Sequence, residues 1–154
     1  VHLSEWFLVE RMRPQDAEQR IPLKARIGSS QPKLIEAVTL METNIEEPLS
    51  PDDLAYHVGL SRRHLERLFK KHLDNVPSRF YLQLRLDKAR QMLRDTDRSI
   101  VEVGMSCGFS SASHFSTTYR THFNVTPRQE RGRATHVEST PSWNHSVVIQ
   151  RRLD

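Results

Sequence analysis

Six charged side chains crowd into the ten residues from Arg62 to Lys71: Arg62, Arg63, Glu66, Arg67, Lys70 and Lys71. At 3.6 residues per turn, positions 62, 63, 66, 67 and 70 fall on one face of a helix. Such a face can recognise the hydrogen-bonding edges of bases. A guanidinium offers a planar fork of donors that matches O6 and N7 of guanine, and a carboxylate accepts from N4 of cytosine. Lys71, beside that face, suits a phosphate oxygen. About fifty residues further on, Ala112, Ser113, Ser116, Thr117 and Arg120 have the same spacing. This second face is small and weakly charged, so it reads through methyl contacts and single hydrogen bonds. The first set is expected to dominate specificity, and the second to position more than it reads.

Other chemistry finds little support. There are eight histidines, but His64/His72 and His114/His122 are each eight apart, over two helical turns, and no CxxC or HExxH accompanies them. Packing near a turn or phosphate contact explains them better than a metal. A single cysteine, Cys107, makes neither a zinc knuckle nor an internal disulfide. It fits a reducing compartment, and its place at the end of an apolar helix reads as a small buried hydrophobe. Gly108-Phe109-Ser110-Ser111-Ala112 lacks the second glycine of a nucleophile elbow and follows no strand. GxGxxG and the phosphate-binding P-loop are absent too. The expectation is a non-enzyme with no catalytic residues, no metal and no cofactor.

The elements that must hold these faces are helical. Leu34, Val38, Met41 and Ile45 line one face of a first helix, and Ser50-Pro51-Asp52-Asp53 opens a second with a serine cap, a proline and two acids. Ser99-Ile100-Val101-Glu102 and Thr126-Pro127-Arg128-Gln129 have capping-box form. The pattern predicts about seven helices, near 32–46, 51–57, 61–73, 77–94, 99–105, 111–122 and 127–132, and no strands from 31 to 133.

The most informative feature is a repeat. Val58-Gly59-Leu60-Ser61 maps onto Cys107-Gly108-Phe109-Ser110 at an offset of 49. One residue is then gained, and His64-Leu65, Phe69, His72-Leu73 and Pro77 map onto His114-Phe115, Tyr119, His122-Phe123 and Pro127 at an offset of 50. Each copy is a short helix, a glycine turn and a second helix with apolar residues at i, i+4 and i+8. That is a helix-turn-helix, the glycine permitting a tight turn with positive φ. Leu65, Leu68, Phe69 and Leu73 pack inward and the charged face stays outward. Between the copies, helix 77–94 carries Leu82, Leu86, Ala89 and Leu93 on one stripe, with Phe80 and Leu84 beside it. Its length of about 27 Å can hold two reading helices near one DNA repeat, roughly 34 Å, apart. The fold expected is all-α, two helix-turn-helix subdomains joined by a long central helix.

Charge agrees with a polyanion partner. Residues 1–59 carry 6 basic and 10 acidic side chains, whereas residues 60–133 carry 15 and 7. The alternative is a basic helical protein-interaction module with no DNA sequence preference. With 36% apolar residues and a mean hydropathy of −0.63, one ordinary core leaves part of the chain outside it. No window approaches the ~18–20 apolar residues of a membrane span. Residues 1–30 read as a linker or the remnant of an upstream domain, with the apolar stub Trp6–Val9; 31–133 form the double helix-turn-helix; 134–154, with its Val147–Ile149 patch, reads as a flexible tail. The start at Val1, without a methionine or a signal-peptide pattern, suggests a piece of a longer protein.

These residues resemble the DNA-binding domain of the AraC/XylS family of bacterial transcription regulators. The resemblance covers about 31–133 and rests on Leu54-Ala55 through Gly59-Leu60-Ser61, His64-Leu65-x-Arg67-x-Phe69-Lys70 and Arg85-Leu86-x-x-Ala89-x-x-Met92-Leu93. It continues with Ile100-x-x-Val103-Gly104, Cys107-Gly108-Phe109, Ser113-His114-Phe115, Phe123 and Thr126-Pro127. It implies that Arg63, Glu66 and Arg67 face bases in one groove, and Ala112, Ser113, Ser116, Thr117 and Arg120 in the next. Gly104 departs from a pattern in which alanine is commoner, and is expected to soften its helix by up to about 1 kcal/mol. Ser110–Phe115, with Arg11-x-Arg13 and Gln19–Leu23, looks like the subgroup with an upstream amidotransferase-like (DJ-1/PfpI-type) domain. That subgroup implies an activator of amino-acid or quaternary-amine catabolism. Its partners are double-stranded DNA, RNA polymerase and an effector bound upstream, and its place is the bacterial cytoplasm, at the nucleoid.

Overall fold

Most helices begin where a side chain takes over an orphan backbone donor, and the two that lack such a cap open on a proline. The computed structural model describes residues 31–138, and among these there are seven helices and no strand. They are α1 (Pro32–Thr43), α2 (Pro51–Val58), α3 (Arg62–Leu73), α4 (Pro77–Asp95), α5 (Ile100–Ser106), α6 (Ala112–Phe123) and α7 (Pro127–Glu138). Ser50 Oγ accepts the Asp53 amide at 3.1 Å, and Asp52 and Asp53 face the positive end of the α2 dipole. At α5 the box is reciprocal, Glu102 N–H to Ser99 Oγ at 3.2 Å and Ser99 N–H to Glu102 Oε2 at 2.9 Å. The Ser99 amide, and behind it the Ser99 hydroxyl, hold the exposed Glu102 carboxyl below the usual carboxylate range. Thr126 and Gln129 close a second such pair at 2.9 and 3.1 Å.

The duplication survives in three dimensions. Ser61 caps α3 by accepting the His64 amide at 3.1 Å, and Ser111 does the same for His114 of α6 at 3.1 Å. The cap equivalent to Ser61 is therefore Ser111, not Ser110, and the gained residue lies ahead of it. Gly59 (φ 72°) ends α2, and Gly108 (φ 81°) follows α5, both in the left-handed region. Asp74 (φ 47°) and Asn124 (φ 60°) end α3 and α6 there as well, as the residue types that tolerate it best after glycine.

Two helices end three or more residues from where the sequence placed them, and the others within one. α1 stops at Thr43 rather than 46, because Asn44 turns its backbone N–H to the Met41 carbonyl and its side chain to the Leu40 carbonyl at 2.8 Å. Ile45 is thereby freed to pack from the connection. α7 runs to Glu138 rather than 132, so the first five residues of the 134–154 segment are helical. The Trp6–Val9 stub, the Arg11–Leu23 motif and the Val147–Ile149 patch lie outside the described residues.

Two apolar cores share α4. In the first, Leu34, Val38 and Met41 of α1 meet Leu54 and Val58 of α2, Leu65 and Phe69 of α3, and Tyr81. In the second, Leu86, Ala89 and Leu93 meet Val103, Cys107, Phe109, Phe115 and Tyr119. The 19 residues of α4 span about 28 Å, and its two halves belong to different cores. Tyr81, which the apolar stripe omitted, is the residue that fixes the α1–α2 connection. Its hydroxyl donates to the Asn44 carbonyl and accepts the Leu49 amide at 3.1 Å. Fifty residues on, Arg131 plays the same part, reaching the Leu93 and Thr96 carbonyls at 3.3 and 3.4 Å ahead of α5.

The junction between the units is tight. Arg85 of α4 donates to the Cys107 carbonyl at 2.8 Å and the Gly108 carbonyl at 2.7 Å, and lies 4.4 Å over the Phe109 ring. A Cβ on Gly108 would come within 2.7 Å of both the Ile45 carbonyl oxygen and Pro48 Cγ. Gly104 is not simply a weak point in its helix: a Cβ there would stand 2.8 Å from Phe115 Cδ1. The missing methyl is the room into which Phe115 packs.

Gly59 has ordinary space around an added Cβ, with only Lys33 Nζ at 3.8 Å, so its constraint is conformational alone. Gly59→Ala is therefore expected to lose about 1–2 kcal/mol in urea unfolding. Gly108→Ala, strained and obstructed by backbone, loses clearly more; equal losses would remove the junction contact from the account.

Candidate nucleic-acid interface

The inner residues of α3 decide where its charges point. Leu65 and Phe69 are fully buried, so Arg62, Arg63, Arg67, Lys70 and Lys71 are exposed and Glu66 is half-buried. Arg62 Nε donates to Glu66 Oε1 at 3.0 Å, and its Nη1 lies 3.6 Å from Asp52 Oδ2 at the start of α2. Lys70 Nζ meets Asp74 Oδ1 at 2.6 Å, and that hydrogen bond, with the lysine's charge, lowers the Asp74 pKa. Such exposed pairs add little to stability and exchange readily for another anion. Arg63, Arg67 and Lys71 make no ion pair among the described residues. Their head groups are directed to solvent.

On α6 the inner residues are Phe115, Thr118 and Tyr119. Ala112, Ser113, Thr117 and Arg120 are exposed and Ser116 is half-buried. Among the described residues both sets foreseen from sequence thus lie on largely exposed helix faces, with Glu66 and Ser116 half-buried at their edges. They differ as expected, with five cations around Glu66 on α3 and only Arg120 on α6.

The repeated histidines divide in two. His64 and His114 are exposed near the helix starts, the His114 ring 5.7 Å from Phe109, whereas His72 and His122 are half-buried near the ends. Among the described residues no three His, Cys, Asp or Glu side chains gather as a metal site. Cys107 is buried, its thiol 3.9 Å from Met92 Sδ, and burial pushes its pKa up to about 11, so it is a poor nucleophile.

Sequence reasoning missed the residues that brace α6 from behind. Glu130 of α7 is 0% exposed and takes Arg94 at 2.6 Å and Arg90 at 3.2 Å on one carboxylate oxygen. Burial raises its pKa, but the two guanidiniums overcome that and hold the carboxyl below its usual range. One signal was available: the repeat puts Glu130 opposite Phe80, a charge where the other copy has an aromatic core residue.

Residues 54–133 match the helix-turn-helix domain family. The chain is 60% identical over 129 residues to the HTH-type transcriptional regulator ArgR of Pseudomonas aeruginosa, an alignment covering 84% of this chain and 39% of that protein. A crystal structure of a transcriptional regulator with an AraC-type DNA-binding domain from Chromobacterium violaceum matches with a TM-score of 0.66 and 67% identity. It covers 68% of this chain and 94% of the other. The DNA-binding domain of AdpA, crystallised with a target DNA, has the same fold at 24% identity and a TM-score of 0.66, covering 71% and 98%. The fold and its two outward faces define a helix-turn-helix DNA-binding domain. The chain belongs to the AraC family of transcription regulators, and it spans about two fifths of the length of the curated relatives it matches. Among the described residues no helix is long and apolar enough to cross a membrane.

A pH dependence follows from His122. Burial, reinforced by Arg90 and opposed by Asp87, lowers its pKa in the fold. The unfolded chain therefore takes up the proton first as pH falls, so this contribution is intact above about 6.5 and is lost as pH drops toward the folded value. The melting temperature is expected to fall between pH 7 and 5, and His122→Phe to flatten that slope. Identical slopes in the two proteins would rule His122 out as the source.

Proposed function

We propose that this chain reads double-stranded DNA sequence-specifically, with α3 and α6 in successive major grooves on one side of the duplex. The observation that carries this reading is the pair of capped repeat helices, each open on its polar face and each seated on one half of α4. Arg63 and Arg67 read guanine edges and Glu66 a cytosine. Arg62, Lys70 and Lys71 supply charge along the phosphates, and Ala112, Ser113, Ser116, Thr117 and Arg120 read the second half. The spacer of about 28 Å is shorter than the roughly 34 Å helical repeat, so the DNA bends toward the protein or α6 engages less deeply. The domain family matched by residues 54–133, with the fold shared by the AdpA domain crystallised with a target DNA, supports duplex DNA as the partner.

The wider role is an activator in a bacterial cytoplasm, working at the nucleoid and touching RNA polymerase. It answers to a small effector held by an upstream amidotransferase-like domain, in amino-acid or quaternary-amine catabolism. This rests on the subgroup resemblance of Ser110–Phe115 and the Arg11–Leu23 motif.

Selection from a random duplex library is expected to return one bipartite motif, bound through about 5–8 phosphates with a log–log salt slope of about −5 to −7. Binding without sequence preference would favour the protein-interaction alternative. Arg67→Ala is expected to weaken the selected site by about 1–3 kcal/mol and relax one base position in the α3 half. Lys71→Ala weakens all sequences alike; a selective loss there would move Lys71 from phosphate to base.

A further inference from the structure

The two units solve one packing problem differently. In the first, Phe80 of α4 meets Phe69 of α3 edge to face, ring centroids 5.6 Å apart. Fifty residues on, Phe69 becomes Tyr119 and Phe80 becomes the buried Glu130. Glu130 is held by Arg94 at 2.6 Å and Arg90 at 3.2 Å. Arg90 in turn lies 4.8 Å over the Phe123 ring, which stands 4.6 Å from Tyr119. Tyr119 and Phe123 belong to the inner side of α6. The Tyr119 hydroxyl and the second Glu130 oxygen are both buried; burial raises the Tyr119 pKa and the neighbouring Glu130 carboxylate raises it further, so the two side chains sense one another directly.

Apolar contact is non-directional, whereas charge-assisted hydrogen bonds fix an angle. Apart from Arg120, the outward residues of α6 are short, so they reach a base only if the helix itself is correctly placed. The long arginines of α3 adapt to small errors. We propose that Glu130 is a positioning residue for DNA reading: through Arg90 and the Tyr119–Phe123 pair it sets the rotation of α6, so that selectivity in the second half of the site depends on a buried ionic cluster. This rests on the reading that α6 enters a groove.

Glu130→Gln keeps the side-chain volume and removes the charge. In the 154-residue chain without DNA, amide hydrogen exchange is expected to quicken about tenfold or more in α6 and to stay unchanged in α3. On the selected duplex, discrimination between bases in the α6 half falls about tenfold while the α3 half keeps its preference. Unchanged exchange in α6, or an equal loss in both halves, overturns the proposal. If Glu130→Gln does not fold, Arg90→Gln and Arg94→Gln decide. Arg90 stacks on the Phe123 ring of α6 whereas Arg94 reaches α6 only through its charge near Tyr119, so the α6-restricted loss must be larger for Arg90→Gln, and equal losses overturn the proposal. A wild-type chain with no sequence preference would sink the DNA reading, while the exchange experiment would still judge the positioning.

Discussion

The constraint on which everything else depends is that both cores are built on one helix. The first half of α4 completes the core under α3 with Phe80, Tyr81 and Leu84, and the second half completes the core under α6 with Leu86, Ala89 and Leu93. A straight helix has a fixed rise and turn per residue, so the separation and relative rotation of the two units follow from the number of residues between these groups. Arg85, between them, ties the turn of the second unit to the same helix, and the close approach of Gly108 to Ile45 and Pro48 closes the remaining gap. The units have little freedom to swing independently.

On that shared frame the outward faces differ in kind. α3 presents a dense guanidinium and ammonium field with one carboxylate held in place by Arg62. α6 presents methyl and hydroxyl groups and a single arginine. The interior shows a parallel contrast, with an aromatic pair behind α3 and a buried carboxylate between two arginines behind α6. A buried ion cluster of that kind is weak evidence of added stability, because desolvation offsets much of the attraction. Directional control is what it adds.

Much of this was legible in the sequence, because it is local chemistry. Ser50, Ser99 and Thr126 act within three residues of themselves, and Gly59 and Gly108 within a turn, so their roles follow from near neighbours; the cap at Ser111 was passed over for Ser110 because the second turn gains a residue ahead of it. The two outward faces were legible for the same reason, as the complement of an apolar spacing. What stayed hidden acts at a distance. Tyr81 bonds to residues 32 and 37 positions away, Arg85 to residues 22 and 23 away, and Glu130 to residues 36 and 40 away. Gly104 looked like a defect because its partner, Phe115, comes from the next helix. The early end of α1 was missed because Asn44 outcompetes an apolar stripe that continues to Ile45.

Tyr81 and Arg131 occupy matching places, and each binds the stretch of chain that leads into its own unit. The exit of each unit is thus fastened to its entrance, by a phenol in one and a guanidinium in the other. Although both units still lean on α4, a segment sealed at both ends brings that part of its closure with it. That is the property a stretch of polypeptide must have to be copied in tandem and still fold, and it leaves each copy able to change its outer residues without disturbing its sister.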